Sequence, residues 1–340
     1  MKKLFLVLLV LALVVSSSFS AFAATEIKVG VAWPSLGSQA WQAMADYLRW
    51  YVDEYNEAHP ETVVTLVETT AGDDAAAQET QIRDLINQGV NVVMSGAIDT
   101  TAIWSSITDC HNAGIGFISF CRRLTPGAPD PANAIVGPDT FMTAYVSVTT
   151  AVQKMLDNGI AAEDIKMIEI IGDLKDQNAM QYKAGCEAAL AEYSCPLPVY
   201  IIESNWSAET VMNRLAPALQ SNPDANLIFS PNEDMLIAVQ SVLEAQDMWY
   251  PIGDENHFTL CAGGGCEIGL NMIKDGYLDV TGLEDLPAVS RNALDYAVRI
   301  AQGESTGDCF INAVAVTPEN YEQLLSEDAF WVYNYAKAIS

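Results

Sequence analysis

The amino-acid sequence predicts an α/β protein of two similar lobes, each built on a doubly wound parallel sheet, and three observations support this fold class. Strand and helix patterns alternate from about residue 26 to about residue 302. The strand segments are near-continuous apolar runs, which is typical of parallel strands covered by helices on both faces. A loop rich in proline and glycine, Thr125 to Pro131, interrupts the alternation, and a second series of the same design follows it.

The first half of the chain contains clear helix signals. A long helix is predicted at Ser38–Ala58, which the chain enters through a segment rich in serine and glycine. In a second helix, Asp74–Gln88, the residues Ile82, Leu85 and Ile86 have the spacing of a buried helical stripe. The other elements predicted for this half are a helix at Thr100–Ala113 and strands at Glu26–Ala32, Val63–Glu68, Asn91–Ser95, Gly116–Phe120 and Ala134–Gly137.

The second half repeats the alternation. The predicted strands are Lys166–Ile171, Pro198–Glu203, Leu227–Ser230, Phe258–Cys261 and Asp279–Leu283. The predicted helices are Asp139–Asn158, Asn178–Tyr193, Ser207–Ser221, Glu233–Ala245, Glu267–Asp275 and Ala288–Gln302. Two such lobes side by side bring the carboxyl ends of their strands to a shared cleft, where open α/β sheets bind ligands. We expect the lobes to close on the ligand about a hinge.

The first 23 residues have the three parts of a secretory signal peptide. Lys2 and Lys3 precede an unbroken apolar run from Leu4 to Val15, and Ala21-Phe22-Ala23 forms a small-x-small cleavage site. The apolar run is shorter than the roughly 20 residues that span a bilayer. We therefore expect export and a mature N-terminus at Ala24. Since no cysteine follows the site, we expect no lipid anchor and a free protein in the periplasm.

The chain is strongly acidic. Its formal charge is −28, and loss of Lys2 and Lys3 with the signal peptide changes this to −30. Such a charge repels nucleic acid and anionic membranes, so we expect neither as a partner. The charge does not identify a ligand, and a solvated acidic surface accounts for it.

Seven cysteines in an exported chain allow disulfides and leave at least one thiol unpaired. The neighbouring pairs along the chain are Cys110 with Cys121, Cys186 with Cys195, and Cys261 with Cys266. Spacing does not fix connectivity, so all pairings stay open. We expect no metal centre, because the sequence lacks a Cys-x-x-Cys motif and its three histidines are scattered.

The loops after the predicted strands carry aromatic and polar side chains. The candidates for ligand binding are Trp33, Ser38, Trp41, Asp99, Cys121 and Arg122 in the first half and Tyr182, Trp206, Asn232 and Asp285 in the second. Indole rings pack on the weakly apolar C–H faces of a polyol, while guanidinium and amide groups bind its hydroxyls. Trp41 begins a helix, so packing in the core is the alternative for that residue.

Signatures of enzymes are missing from the sequence. Nucleophile and zinc motifs do not occur in a plausible context, and Gly263-Gly264-Gly265 is followed by Cys266 and Glu267 instead of the Lys and Ser/Thr of a phosphate loop. We read the three glycines as a tight turn into the next helix. We therefore expect neither catalysis nor a cofactor.

The order of motifs resembles the type I periplasmic binding proteins of sugar ABC transporters, the ribose- and galactose-binding group. The resemblance runs from about Ile27 to about Gly303. The motifs that carry it are Leu85–Ser95 with Asp99, Ile118–Arg122, Asn133–Asp139, Ile168–Gly172 with Lys183–Cys186, Phe229–Met235, and Gly276–Val280 with Asp285-Leu286-Pro287. The last of these resembles the family's crossing back to the first lobe.

The resemblance implies roles for several residues. Trp41 and Trp206 fall where the family stacks aromatic rings on the sugar, and Arg122 and Asn232 match its polar ligands. The chain departs from the family at four positions: Cys121 and Gly264 stand where Asp is usual, Tyr182 near an Arg position, and Asp285 at a Gln position. A simple pentose or hexose is therefore doubtful, and Asp285 favours an amine or amino sugar.

The resemblance also implies an organisation and a function. We expect an N-terminal lobe of residues 24–138 and 286–311 and a C-terminal lobe of residues 139–285 and 312–340, joined by a hinge of several strands. We expect a monomeric solute-binding protein that delivers a sugar or related solute to an ABC permease in the inner membrane. One alternative is a subunit that presents ligand to a membrane receptor kinase. A secreted α/β enzyme is a more remote one.

Overall fold

The computed structural model describes residues 24–338 and contains two six-stranded sheets with helices on both faces. The predicted signal peptide, residues 1–23, lies outside the described residues. The α/β fold of two similar lobes is confirmed. Strands β1–β5 and β11 form the first sheet and strands β6–β10 and β12 the second; the twelve strands are Thr25–Trp33, Thr62–Thr70, Val92–Ser95, Gly116–Phe120, Ala134–Pro138, Met167–Ile171, Tyr200–Glu203, Leu227–Ser230, Thr259–Gly264, Val280–Leu283, Cys309–Ile311 and Val314–Val316.

Eleven α-helices lie in the described part of the chain. In order, α1–α11 are Gln39–Ala58, Ala75–Asn87, Trp104–Asn112, Thr140–Asp157, Gln177–Glu192, Ala208–Ser221, Leu236–Ala245, Glu267–Lys274, Leu286–Ala301, Tyr321–Ser326 and Trp331–Ala338. Many begin at a side chain that accepts a backbone N–H, as at Ser38, Asp139, Asp176, Ser207 and Asp285. These caps satisfy donors that a helix N-terminus leaves unpaired, so the start of each of these five helices is determined locally.

The sheet orders are those of two similar lobes. The first sheet runs β11-β5-β4-β3-β1-β2 and is parallel throughout. The second runs β12-β10-β9-β8-β6-β7, and its edge strand β12 is antiparallel to β10. The predicted parallel sheet is thus present in each lobe, and β12 is a short antiparallel strand added at the edge of the second.

The chain passes between the sheets three times, after β5, after β10 and between β11 and β12. Helix α11 adds a further connection through Trp331, which is buried. Its backbone carbonyl accepts a hydrogen bond from Tyr47 of α1 at 2.8 Å, while its indole Nε1 donates to the carbonyl of Gly264 at 3.5 Å. The C-terminal helix therefore contacts both lobes.

Three local predictions differ from the structure. Strand β9 continues through Gly263 to Gly264, where we expected a tight turn. Helix α3 begins at Trp104, because the Asp99 carboxylate first holds a turn by accepting the N–H groups of Thr101 and Ala102. The strands β11 and β12 and the helices after them were not predicted.

All seven cysteines are free thiols. Five are buried in the cores, and only Cys121 and Cys309 are partly buried. Cys261 and Cys266 are among the free thiols, and β9 keeps the chain extended from Cys261 up to Gly264 where a flexible loop was expected.

Candidate ligand-binding cleft

The carboxyl ends of the strands of both sheets meet in a cleft that is closed in this structure. Direct hydrogen bonds join the lobes. The Thr100 hydroxyl donates to the carbonyl of Lys175 at 2.8 Å, and the Asn178 amide donates to the carbonyl of Cys121 at 2.9 Å. Farther along the cleft, the backbone N–H of Glu267 donates to the side chain of Gln39 at 3.0 Å.

Arg122 and Asp176 form an ion pair across the cleft. Arg122 follows β4 of the first lobe, and Asp176 caps α5 of the second; Nε and Oδ2 are 3.0 Å apart. The two side chains are only 12% and 1% exposed. Burial raises the pKa of Asp176, and the Arg122 guanidinium opposes that rise. The guanidinium also donates to the carbonyl of Ala97 at 2.8 Å, so its position is fixed from both lobes.

Trp41 provides an aromatic surface on the first lobe. The backbone N–H of Trp41 donates to the Ser38 hydroxyl. The indole ring lies against Gly96, where an added Cβ atom would come within 2.3 Å of it. The Arg122 guanidinium lies over the indole at 5.4 Å from its centroid, within the range of a cation–π contact. The prediction that Trp41 belongs to the cleft thus has a geometric basis: its ring is next to the ion pair.

Trp206 is the matching ring of the second lobe. It lies against Gly172, where an added Cβ atom would come within 2.3 Å of the indole, and its edge meets the Tyr182 ring at a centroid distance of 6.4 Å. Its backbone has a φ of 59°, a left-handed conformation that is unfavourable for a bulky residue. The indole Nε1 is buried beside Asp176, and its hydrogen bond acts to lower the pKa of that carboxyl. The backbone strain favours a role in binding over simple packing.

Tyr182 belongs to a buried hydrogen-bond network at the hinge side of the cleft. Its hydroxyl donates to Glu284 Oε1 at 2.7 Å, and the Thr143 hydroxyl donates to the same oxygen at 3.0 Å. Burial raises the pKa of Glu284 to about 7, although both hydroxyls act to lower it. Burial also raises the pKa of Tyr182 well above its usual value, and the Glu284 carboxylate adds to this rise.

Cys121 approaches this network from the first lobe. Its backbone has a φ of 65° and passes so close to Gly137 that a Cβ there would lie 2.7 Å from the Cys121 carbonyl oxygen. Burial raises the pKa of its thiol, and Glu284 raises it further. Three residues from separate elements therefore lie close together: Cys121, Tyr182 and Glu284.

The remaining predicted residues do not join this group directly. Trp33 is 1% exposed, and its Nε1 donates to Glu68 at 2.7 Å, so its ring supports Trp41 from within the first core. Asp99 and Asn232 are partly buried and accept backbone N–H groups in their own turns. Asp285 is exposed and caps α9 through the N–H of Ala288.

The predicted ligand-binding residues did not include Asp176 and Glu284, although both lie in loops that follow predicted strands. Asp176 has the pattern of a helix cap, and the cap bond to Asn178 is present, so no local signal revealed its second bond to Arg122. Glu284 is adjacent to Asp285, and the match to the family's motifs favoured Asp285 as the ligand-binding residue. The apolar end of β10 followed directly by Glu284 was the available signal, since a strand end opens on the cleft.

Glu233 is a further buried carboxylate behind the cleft. Its Oε1 accepts from the N–H of Gly265 and the hydroxyl of Thr281, both at 2.6 Å, whereas Oε2 has no partner among the described residues. Burial raises its pKa to about 7. Oε2 lies 2.5 Å from the position of a Cβ at Gly264, so a larger residue there would displace it.

No helix within residues 24–338 is both long and apolar enough to cross a membrane. No group of three or more His, Cys, Asp or Glu side chains in this range is arranged to hold a metal ion.

A comparison with known families agrees with this geometry. Residues 29–305 match the profile described as the periplasmic binding protein domain. The chain belongs to the periplasmic binding protein family. The resemblance inferred from the motifs is confirmed, and the role of this periplasmic binding protein is ligand binding.

Its curated relatives and solved neighbours are distant but cover most of the chain. A xylitol-binding protein of Mycolicibacterium smegmatis is 24% identical over 274 residues, which are 80% of this chain and 73% of that protein. The multiple sugar-binding periplasmic receptor ChvE of Rhizobium radiobacter is 22% identical in an alignment 344 residues long, gaps included, which covers 92% of each protein. A solved ABC transporter solute-binding protein of Bacillus halodurans with bound myo-inositol has a TM-score of 0.74 at 21% identity, covering 89% of this chain and 99% of that one.

Proposed function

We propose that this periplasmic binding protein captures a small polyhydroxylated solute between its lobes and delivers it to an ABC permease. The observation that carries the proposal is the arrangement around the Arg122–Asp176 ion pair, which joins the lobes beside the ring of Trp41. Tyr182 and Trp206 stand in edge contact on the second lobe. Aromatic faces for C–H groups and charged groups for hydroxyls are what a polyol requires.

The two lobes would move as bodies during capture. We take them as residues 24–138 with 286–311 and residues 139–285 with 312–340, with the three crossings between the sheets as the hinge. In the open form Arg122 and Asp176 separate and regain water. A ligand favours closure only through contacts that it makes better in the closed form.

The proposed location is the periplasm, and the proposed cellular partner is a permease of the inner membrane. Residues 1–23 would direct export and then be removed. The relative that supports the location is the multiple sugar-binding periplasmic receptor of Rhizobium radiobacter. We propose a monomer that binds its solute without converting it.

Calorimetric titration of residues 24–340 tests the proposal. The protein is unfolded in guanidinium chloride, refolded to remove bound solute, and titrated with xylitol, myo-inositol, D-fructose and D-ribose. We expect at least one of them to bind and to change tryptophan fluorescence, since two indoles line the cleft. Failure of all neutral and amino-substituted polyols to bind would contradict the proposal.

Matched tryptophan variants locate the site. Trp41→Ala and Trp206→Ala should each weaken binding by roughly ten-fold or more, because each removes one aromatic surface. Trp249→Ala is the control: its ring stacks on Tyr277 at 4.9 Å, away from the strand ends that form the cleft. Equal losses in all three variants would mean that binding does not occur between Trp41 and Trp206.

A further inference from the structure

Glu284 lies where β10 ends at the cleft, and the groups that hold its carboxylate are uncharged. Its residue is 6% exposed. The hydroxyls of Tyr182 and Thr143 both donate to Oε1. The second oxygen, Oε2, accepts no hydrogen bond from the residues that the structure describes. One carboxylate oxygen is therefore oriented by two donors while the other stays available.

The titratable groups that face Glu284 come from three elements. They are Tyr182 on α5, Cys121 after β4 and Cys266 before α8, and each interacts electrostatically with the Glu284 carboxylate. Burial raises the pKa of all three, so they are neutral near pH 7. Helix α4 contributes only the uncharged hydroxyl of Thr143.

The cations and other carboxylates near this region do not balance the charge of Glu284. Arg122 is engaged by Asp176. Glu233 acts on the same Tyr182 and Cys266 and adds negative charge. Asp285, on the side of α9, is exposed to solvent. Within residues 24–338, Glu284 has no ion-pair partner.

A structural role alone does not require a carboxylate here. An ionised carboxylate that is buried without a cation is unfavourable, and burial accordingly raises the pKa of Glu284 to about 7. A glutamine at this position would accept both hydroxyl bonds without that cost. A carboxylate is useful where the balancing cation arrives with the ligand.

We propose that the ligand of this cleft carries a protonated amino group that pairs with Glu284, so that the solute is an amino sugar or an amino-substituted polyol. This inference rests on the proposed function. Tyr182 and Thr143 act as positioning residues that hold Oε1 and direct Oε2 toward the ligand. The amine recognition that the sequence suggested for Asp285 is thereby assigned to its buried neighbour.

Matched probes test the assignment by calorimetric titration. The pairs are D-glucose with D-glucosamine, D-galactose with D-galactosamine, and myo-inositol with an amino-deoxy inositol. We expect one amine to bind at least about ten-fold more tightly than its neutral counterpart, as a charge-assisted bond to a buried carboxylate requires.

The variant Glu284→Gln keeps the acceptor for both hydroxyls and removes the charge. It should lose the preference for the amine and keep the affinity for the neutral partner within about three-fold. Glu57→Gln, on the exposed last turn of α1, is the matched control and should keep the preference.

The dependence on pH gives an independent readout. Glu284 must be ionised to pair with the amine, so ligand binding lowers its pKa and affinity rises with pH toward the free-protein pKa of about 7. The gain from about pH 5.5 to about pH 7 should be on the order of ten-fold, and Glu284→Gln should abolish it.

Each contrary outcome has a distinct meaning. Neutral sugars that bind as tightly as the amines would overturn the amine inference and leave the polyol-binding function intact. An amine preference that survives in Glu284→Gln would overturn the role of Glu284. Binding of none of the six probes would overturn the amine inference, and the proposed function would fall with it only if xylitol, D-fructose and D-ribose also fail to bind.

Discussion

The two faces of the cleft differ in charge and in the way their charges are balanced. The first lobe presents a cation, Arg122, over the ring of Trp41. The second presents two buried carboxylates, of which Asp176 is paired with Arg122 and Glu284 contacts only hydroxyls. Asp176 thus has a cationic partner in the protein, whereas Glu284 has no cationic partner among residues 24–338.

This difference separates two tasks of a closing cleft. The balanced pair can stabilise the closed form whatever the ligand, because both charges belong to the protein. The unbalanced carboxylate discriminates between ligands, because its energy depends on what occupies the cleft. Closure and selectivity therefore depend on different carboxylates of the same lobe.

Removing Asp176 should have the largest effect. Asp176→Ala leaves the Arg122 guanidinium buried and unpaired in the closed form, at a cost of about 3 kcal/mol to closure and hence to ligand affinity. Calorimetric titration and the radius of gyration from X-ray scattering measure both. The double variant Arg122→Ala/Asp176→Ala should recover part of the loss, and strict additivity of the two single changes would refute the coupling.

A second prediction concerns the stability of the unliganded protein against pH. The folded pKa of Glu284, about 7, lies above the unfolded value near 4.5. The folded state therefore binds more protons between these pH values, and the free energy of unfolding should fall as pH rises from 4.5 to 7. The loss is on the order of 2–3 kcal/mol for this group.

Glu284→Gln should flatten this part of the profile, as measured by denaturant unfolding at a series of pH values. Glu57→Gln is again the control and should leave the slope unchanged. An identical slope in Glu284→Gln would mean that another group, such as Glu233, accounts for the dependence.

Alanine at two glycines should displace one aromatic ring from each face. Gly172→Ala places a Cβ atom 2.3 Å from the Trp206 ring, and Gly96→Ala does the same to Trp41. Each should cost about 1–2 kcal/mol of stability and weaken binding, as followed by thermal unfolding and titration. Gly307→Ala, with no heavy atom within 4 Å, is the control. A stable, fully active Gly172→Ala variant would remove Trp206 from the site.

The smallest effect is expected at Asp285. Asp285→Ala removes the cap of α9 and should reduce the free energy of unfolding by about 1 kcal/mol without changing the preference for amines. Asp285→Asn should keep most of the stability, because asparagine is also a good N-cap. Loss of amine preference in Asp285→Asn would restore the original assignment of selectivity to this residue.

The sequence was sufficient for elements that are determined locally. Gly116–Phe120 and Leu227–Ser230 were predicted with the observed bounds, because continuous apolar runs flanked by turn residues have few alternatives as strands. The three-residue strands β11 and β12 have no such pattern. Their pairing with β5 and β10 is a tertiary contact that only the assembled lobes provide.

The candidate site was predictable to the level of loops but not of single carboxylates. Arg122 and Trp206 follow strands, while Trp41 and Tyr182 lie in the first two turns of helices, at the edge of the sheets where the cleft is proposed. The choice between Glu284 and Asp285 depends on a single residue of register at the end of β10. Adjacent residues of an extended chain point their side chains in opposite directions. The sequence pattern alone therefore could not decide which of the two carboxylates faces the cleft.

The seven free thiols have a practical consequence for preparing this protein. Burial raises the pKa of six of them, which are Cys110, Cys121, Cys186, Cys195, Cys261 and Cys266. The reactive thiolate is therefore scarce in the folded state. Without covalent cross-links to restore, the chain can be denatured to release a tightly held solute and then renatured under simple reducing conditions. A solute that co-purifies with the protein can thus be released by denaturation, and the same sample can then be refilled with defined compounds.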